Sequence, residues 1–357
     1  MSLLVPISVV LPVYNGERFL AEAVDSILGQ TFGDFELIAV DDGSTDRSLM
    51  ILRAYEARDS RVRIITRPNT GQAGALNDGV AAARSEFVAR MDADDIAMPE
   101  RFRLQHEFLK AHPEIGGLGA AYQAIDETGA TIGPPNVQPC RPDEVRRALQ
   151  QGGCALVHPV VMLRRAVVLE AGPYRGLLRP AEDYDLWLRM SEFTSLANLP
   201  DVLLMYRIHG SSLSIKYAFE QACGTEIARL AGKMRRQGKA DPIRDEQTVT
   251  PELLDRVGVS TGQLELLRGQ TLRNLASGHL SRGNLSPALA VIADYEGAEI
   301  APWVRRRLAP EFELLRARIR KIEGHSMAVV SGAVRICLRH PLFVLELIAK
   351  VLRRFRR

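Results

Sequence analysis

Four short apolar runs, each followed by a longer stretch of helical periodicity, fill the first third of the chain and sharply limit its folds. "ISVVLPV" (Ile7–Val13), "FELIAVD" (Phe35–Asp41), "VRIIT" (Val62–Thr66) and "FVARMD" (Phe87–Asp92) read as buried strands. Between them, Glu17–Gln30, Asp46–Ala57 and Ala73–Arg84 read as helices. Strand–helix alternation of this kind specifies a mostly parallel sheet with helices on its faces. Ligands of such sheets bind beyond the carboxyl ends of the strands. The polar residues that follow each strand are therefore the informative ones: Tyr14 and Asn15, Asp41 and Asp42, Arg67 and Asn69, and Asp92 to Asp95. All four sets are expected on one rim.

From Ile115 to Arg207 the pattern loosens. Gly/Pro-rich loops surround a strand near "LVHPVVMLRR" and a short helix in "EDYDLWLRM". Beyond Ser214 the sequence is helix-forming, and Leu272–Tyr295 reads as one helical hairpin. The length of 357 residues admits a large domain with an appendage, or two domains. Four widely spaced cysteines, with no C-x-x-C pair, argue against a disulfide framework or a zinc knuckle and fit a reducing cytosol. The apolar N-terminus lacks a basic leader and a cleavage site and is interrupted by Pro6 and Pro12, so it reads as a first strand and no signal peptide. Net charge is +3, unevenly placed: residues 301–357 carry fourteen Lys/Arg against four Asp/Glu, a net of +10, leaving the body at −7. A basic tail on an acidic body points to an anionic partner.

Two acidic clusters stand out. "VDDGSTDRS" can supply a helix cap, but only one of Asp41 and Asp42 can occupy that position. "MDADD" follows an apolar strand directly. Carboxylates so close repel one another, and they either raise a pKa or await a cation. Hard divalent ions take one or two carboxylates plus substrate phosphates, so a short acidic pair at a strand end can clamp a metal–diphosphate. A third group, Glu182, Asp183 and Asp185, lies in the first turn of a helix, where acidic residues also favour the macrodipole.

Six ordered segments, "SVVLPVYNGERFLAEAVDSILGQTF", "ELIAVDDGSTDRS", "RPNTGQAGALNDGV", "ARMDADD", "AEDYDLWLRM" and "YRIHGSSLS", resemble the signature segments of family 2 glycosyltransferases over residues 5–215. The resemblance implies an α/β fold of GT-A type, a Rossmann-like mostly parallel sheet with helices on both faces. It implies a catalytic domain over 1–215 and a helical C-terminal region over 216–357. It also implies an inverting, metal-dependent transfer from a nucleotide-diphosphate sugar.

Carried over by residue, Pro12, Val13 and Tyr14 form the lip around the base, and Asp42 holds the base or ribose. Arg67, Gly74 and Asn77 close over the nucleotide. Asp92, Ala93 and Asp94 are the D-x-D, with Asp94 the direct ligand of Mn²⁺ or Mg²⁺ and Asp92 nearer the ribose and diphosphate. His209 joins Asp94 at the metal, and Arg207 neutralises the diphosphate. Asp183 is the general base, which removes the acceptor hydroxyl's proton. Trp187 reads as core, and His158 falls near the acceptor pocket. UDP is the commonest donor nucleotide in the resemblance, ahead of GDP and dTDP. The Q-x-x-R-W motif of processive synthases is missing, which favours single-sugar transfer to a glycan or lipid-linked acceptor in cell-surface polysaccharide synthesis.

Two rival readings differ in class. One is a catalytically silent nucleotide-sugar module that recruits partners through its helical tail. The other is a nucleotidyltransferase, for which "PVYNGERF" makes a poor phosphate loop. In "HPLFVLELIAKVLRRFRR" (340–357), Val344, Leu347, Ile348, Val351, Leu352 and Phe355 form an apolar stripe beside five basic residues. The stripe either lies on an anionic membrane surface or packs on the protein's own helices. Nucleic acid is not expected, because the acidic body opposes it. The expected location is cytoplasmic, peripheral at the inner face of the cell membrane.

Overall fold

In the first strand, β1 (Ile7–Val13), Ile7, Val9, Leu11 and Val13 join one apolar cluster while Ser8 and Val10 are buried on the opposite face. A strand with no solvent face belongs in the interior of a parallel sheet. β1 pairs in parallel with β2 (Phe35–Asp41) on one side and with β4 (Phe87–Arg90) on the other, and β3 (Val62–Thr66) extends the sheet beyond β2. This is a computed structural model, and it describes residues 5–153, 155–209, 217–281, 283–298 and 300–322, with 336, 340 and 343 besides. The stripe of 340–357 thus lies outside the described residues, His340 and Phe343 apart.

Helices cover both faces. From α1 (Leu20–Leu28), α2 (Ser48–Arg58) and α4 (Arg101–Ala111), Leu20, Val24, Ile27, Leu52, Phe102 and Leu109 enter the cluster with Val9 and Leu11. On the other face α3 (Gln72–Ala82) approaches closely, with Gly79 against Val10. Strand order reverses at β1, so the crevice beyond its carboxyl end is the topological switch point.

The sheet continues through a second half: β5 (Ile96–Ala97), β6 (Ile115–Ile125), β7 (Met162–Arg164) and β8 (Ser195–Arg207), giving the order β3-β2-β1-β4-β7-β6-β8-β5. β7 runs antiparallel to β4 and to β6, and β6 pairs in parallel with β8. Sequence pattern missed β6 and β8, the two longest strands. "IGGLGAAYQAI" is rich in glycine and alanine, and Pro200 interrupts β8. The ladder absorbs that proline in a bulge: Ala120 pairs with Leu199 and Ala121 with Val202. β4 also stops at Arg90 and not at Asp92, because its pairing with β1 ends there and the chain turns through the acidic run.

Beyond β6 come α5 (Pro142–Gln150), a 3₁₀ turn at His158–Val160, α6 (Arg165–Ala171), α7 (Glu182–Met190), α8 (Ala218–Arg236) and α9 (Pro251–Val257). The first compact unit runs to Gly258, past the last motif at 215. It does so because α8 packs on it: Gly224 lies against Leu178 and Ala181, and Arg175 and Arg235 both grip Asp241. The second unit begins at Val259. Its helices α10 (Thr261–Ser281), α11 (Leu285–Gly297) and α12 (Pro302–Ile322) bury Leu280, Ile292, Leu308 and Phe312 together, with Tyr295 stacked on Phe312. The expected hairpin of 272–295 falls within α10 and α11.

One buried amide ties the chain entering α4 to α1. Gln30, just past the end of α1, donates to Met98 O at 2.8 Å and accepts from Phe102 N at 3.1 Å. It thereby caps α4, whose own N-cap residue Glu100 provides no side-chain bond. Replacing Gln30 with Leu leaves the Phe102 N–H unsatisfied and removes one of two hydrogen bonds to Met98 O, which Arg101 N still meets at 3.0 Å. We predict a loss of about 1–3 kcal/mol in urea unfolding of the first unit, and an unchanged midpoint would discount the cap.

Candidate functional site

The carboxyl ends of β1 and β2 are fastened to the turn after β3. Asp42 N donates to Val13 O at 2.8 Å. The Asp42 carboxylate accepts from Thr70 N (3.1 Å) and Gly71 N (2.8 Å), and Arg67 Nε lies 3.2 Å from it. Arg67 also pairs with Asp78 at 2.5 Å. Gly74 leaves room for this guanidinium, since a Cβ there would fall 2.9 Å from Arg67 Nη2. Asp42 is therefore a clamp on residues 67–71, and the capping of α2 falls to Asp46, whose Oδ1 accepts from Ser48 N at 2.9 Å. Of the three lip residues, Tyr14 is 53% exposed, Pro12 is half-buried and Val13 is in the core.

The acidic run follows β4. Arg90 holds Asp92 in a two-pronged ion pair, Nη1 to Oδ2 at 2.7 Å and Nη2 to Oδ1 at 2.6 Å, and Gln72 adds a hydrogen bond to Asp92 at 3.1 Å. His209 Nε2 lies 2.7 Å from Asp94 Oδ2, with its ring beside Phe19. Asp95 is buried. Its Oδ1 accepts from Arg207 N at 2.8 Å, and its Oδ2 has no hydrogen-bond partner. Burial, then the neighbouring carboxylate charge of Asp94, holds the pKa of Asp95 well above the carboxylate range; burial raises that of Asp92, against Arg90. One carboxylate oxygen from each of Asp92, Asp94 and Asp95 lies within 4.8 Å of the others. Hard oxygen donors at this spacing, one of them buried without a partner, fit a divalent cation.

Several expected residues are placed differently. Arg207, read as a diphosphate neutraliser, is buried and committed: Nε donates to Asp94 O at 2.8 Å, Nη1 to Asp126 O at 3.2 Å, and Nη2 meets Glu22 at 2.5 Å. It braces the acidic run from beneath. Asn77, read as closing over the nucleotide, spends both ends of its amide on the backbone of Tyr174, at 3.0 and 2.8 Å. Ala93 is half-buried and close to Gly16.

The N-terminus of α7 brings in the remaining carboxylates. Asp183 is partly open to solvent, its Oδ1 accepting from Tyr184 N at 2.7 Å. Desolvation pushes its pKa up to about 6, with Arg90 pulling down and Asp92 pushing up, so the three groups share one electrostatic environment. Glu182 is buried and its pKa is pushed up to about 7 by desolvation and then by Asp183's charge. Asp185 is paired with Arg189 at 2.9 Å inside the protein. Trp187 is core, as expected, edge-on to His158. His158 is kept neutral by burial and lies 3.3 Å from Tyr174 OH. Sequence reasoning missed Arg90 and Gln72. The signal for Arg90 was a charged residue in the run "FVAR", where a fully buried strand demands a partner.

A family model described as Glycosyl transferase family 2 matches residues 8–171. The O-antigen biosynthesis glycosyltransferase WbnJ of Escherichia coli is 32% identical over 210 residues, covering 58% of this chain and 81% of its own. The chain belongs to glycosyl transferase family 2. Two solved structures share its fold at 17% identity. S. aureus TarS 1-349 in complex with UDP-GlcNAc gives a TM-score of 0.51 over 89% of each chain. Mannosyltransferase PcManGT from Pyrobaculum calidifontis, in complex with GDP-Man and Mn²⁺, gives 0.52 over 92% of this chain and 86% of its own. This family 2 glycosyltransferase therefore has the GT-A architecture expected of it.

The clamp on the 67–71 turn can be tested without any ligand. Asp42→Ala removes charge-assisted bonds to Thr70 and Gly71, each about 1.5–3 kcal/mol. We predict amide exchange at those two positions about ten- to a hundred-fold faster, with β1 and β2 amides still protected. Unchanged exchange would show that the turn holds itself.

Proposed function

We propose that this glycosyltransferase transfers one sugar, with inversion, from a nucleotide-diphosphate donor to a glycan or lipid-linked acceptor in cell-surface polysaccharide synthesis. What carries the reading is the convergence of Asp42, Asp92, Asp94, His209 and Asp183 around the switch point of a parallel sheet. Likeness to an O-antigen enzyme supports the acceptor class. The neighbours in complex with UDP-GlcNAc and GDP-Man support the donor class, with UDP or GDP as the nucleotide.

In this mechanism Tyr14, Asp42 and the 67–71 turn hold the nucleoside. Asp92, Asp94 and Asp95 would hold Mn²⁺ or Mg²⁺, with His209 beside Asp94, and the ion when bound would offset the charge of the diphosphate. Asp183 removes the proton of the acceptor hydroxyl as that oxygen attacks C1 from the face opposite the diphosphate. The proton goes to Oδ2, since Oδ1 is engaged by Tyr184 N. Arg90 favours the ionised form of Asp92 against its burial and fixes its geometry. Arg207 holds Asp94 and Asp95 in place from below.

Residues 340–357 complete the proposal for a lipid-linked acceptor: their stripe lies on an anionic membrane at its cytoplasmic face. Flotation of the full chain with phosphatidylserine vesicles, lost at high salt, is the expected result. Flotation indifferent to salt would count against it.

Two variants separate binding from chemistry. Asp94→Asn is expected to abolish Mn²⁺-dependent turnover of the donor, and turnover at the wild-type level would remove the metal assignment. Asp183→Asn is expected to lower kcat by at least about a hundredfold while donor affinity holds. A raised pKa means the proton persists to higher pH, so activity is expected to fall tenfold per pH unit below about 6 and to level off above it. A flat profile between pH 5 and 8 would exclude Asp183 as the base.

A further inference from the structure

Arg207 is buried beneath the acidic run, so the rim needs another cation where a diphosphate would add negative charge to three carboxylates. Arg67 is paired with Asp42 and Asp78, Arg90 with Asp92, and Arg207 with Glu22. Arg179 is exposed and differs from all three: among the described residues its side chain has no ion pair and no hydrogen bond, and only its backbone N–H is engaged, by Gly176 O at 3.2 Å. Its guanidinium stands over Gly71, where a Cβ would fall 3.3 Å from Nη1. Gly71 is the residue whose N–H is held by Asp42, and its φ of +88° is a conformation that favours glycine. Arg179 thus bridges the clamped turn and the start of α7, three residues before the helix opens at Glu182. Its charge is felt at Glu182, beside Asp183. The guanidinium also lies over the Tyr217 ring, 6.0 Å from its centroid.

We propose that Arg179 binds the phosphate chain of the donor, the task that sequence reading gave to Arg207. The inference rests on the glycosyl-transfer reading above and adds to it a binding residue. A guanidinium without a carboxylate partner loses no ion pair on meeting phosphate, and its planar fork suits two phosphate oxygens at once. A phosphate carried by an acceptor would meet the same chemistry. The position of Nη1 over Gly71, on the nucleoside side of the rim, assigns it to the donor.

The test is calorimetric titration of the full chain with UDP, GDP, uridine and guanosine, in Mn²⁺ and with no acceptor present. The variants are Arg179→Met, which keeps the stem, and Arg179→Lys, which keeps the charge. Thermal unfolding of each variant without ligand verifies that it folds. For whichever diphosphate the wild type binds, Arg179→Met is expected to weaken affinity about ten- to a hundred-fold and Arg179→Lys by less. Its nucleoside is expected to bind both variants as it binds the wild type. Diphosphate affinity unchanged in Arg179→Met would overturn the proposal, as would equal losses for diphosphate and nucleoside. Binding of neither diphosphate by the wild type would overturn the donor reading and this inference together, which distinguishes the two failures.

Discussion

A buried guanidinium makes the acidic rim possible. Arg90 ends β4, is only 2% exposed, and holds both oxygens of Asp92. Without it, Asp92, Asp94 and Asp95 would be three carboxylates repelling one another at the edge of an apolar core. A buried pair of this geometry is costly to break, because the partner left behind is an uncompensated charge. The arrangement extends inward: Arg101, fully buried, donates to Arg90 O at 2.6 Å, and burial pulls its own pKa down to about 9. Arg207 does the corresponding work from the β8 side. Two arginines thus fix the acidic run, and neither leaves its charge free for a substrate.

Much of this was legible in the sequence where local rules decide. β1, β2 and β3 have the bounds that their apolar runs mark, since a strand buried on both faces leaves a continuous signal. α7 likewise has the bounds of "EDYDLWLRM". The convergence of Asp42, Arg67 and Asp92 followed from topology alone: parallel strands deliver their carboxyl ends to one edge.

What was not legible depended on partners far apart in the chain. Arg207 and Glu22 are 185 positions apart, and Asn77 meets Tyr174 across 97. Nothing local tells a side chain facing a ligand from one facing a distant backbone. β6 and β8 were hidden for a related reason: glycine, alanine and a bulged proline carry little strand propensity, and the strands persist because neighbours pair with them. Arg179 was passed over for the opposite reason. An exposed arginine before a helix is unremarkable until Gly71 is seen beneath it.

The α7 N-terminus shows which local effect wins at Asp183, the proposed base. Asp183 lies in the first turn of a helix, where the macrodipole favours a carboxylate by about 0.3–1 kcal/mol. Taken alone that would lower its pKa by less than one unit, a unit being worth about 1.4 kcal/mol. The shift is upward instead, to about 6, so desolvation together with the charge of Asp92 outweighs the dipole, the Tyr184 N–H and Arg90 combined. The sign matters for the chemistry. A carboxylate stabilised only by a helix end would be a weaker base than free aspartate, whereas one partly stripped of water holds a proton more readily and still ionises near neutral pH. The same helix turn that orients Asp183 therefore does not set its basicity. Its desolvation does.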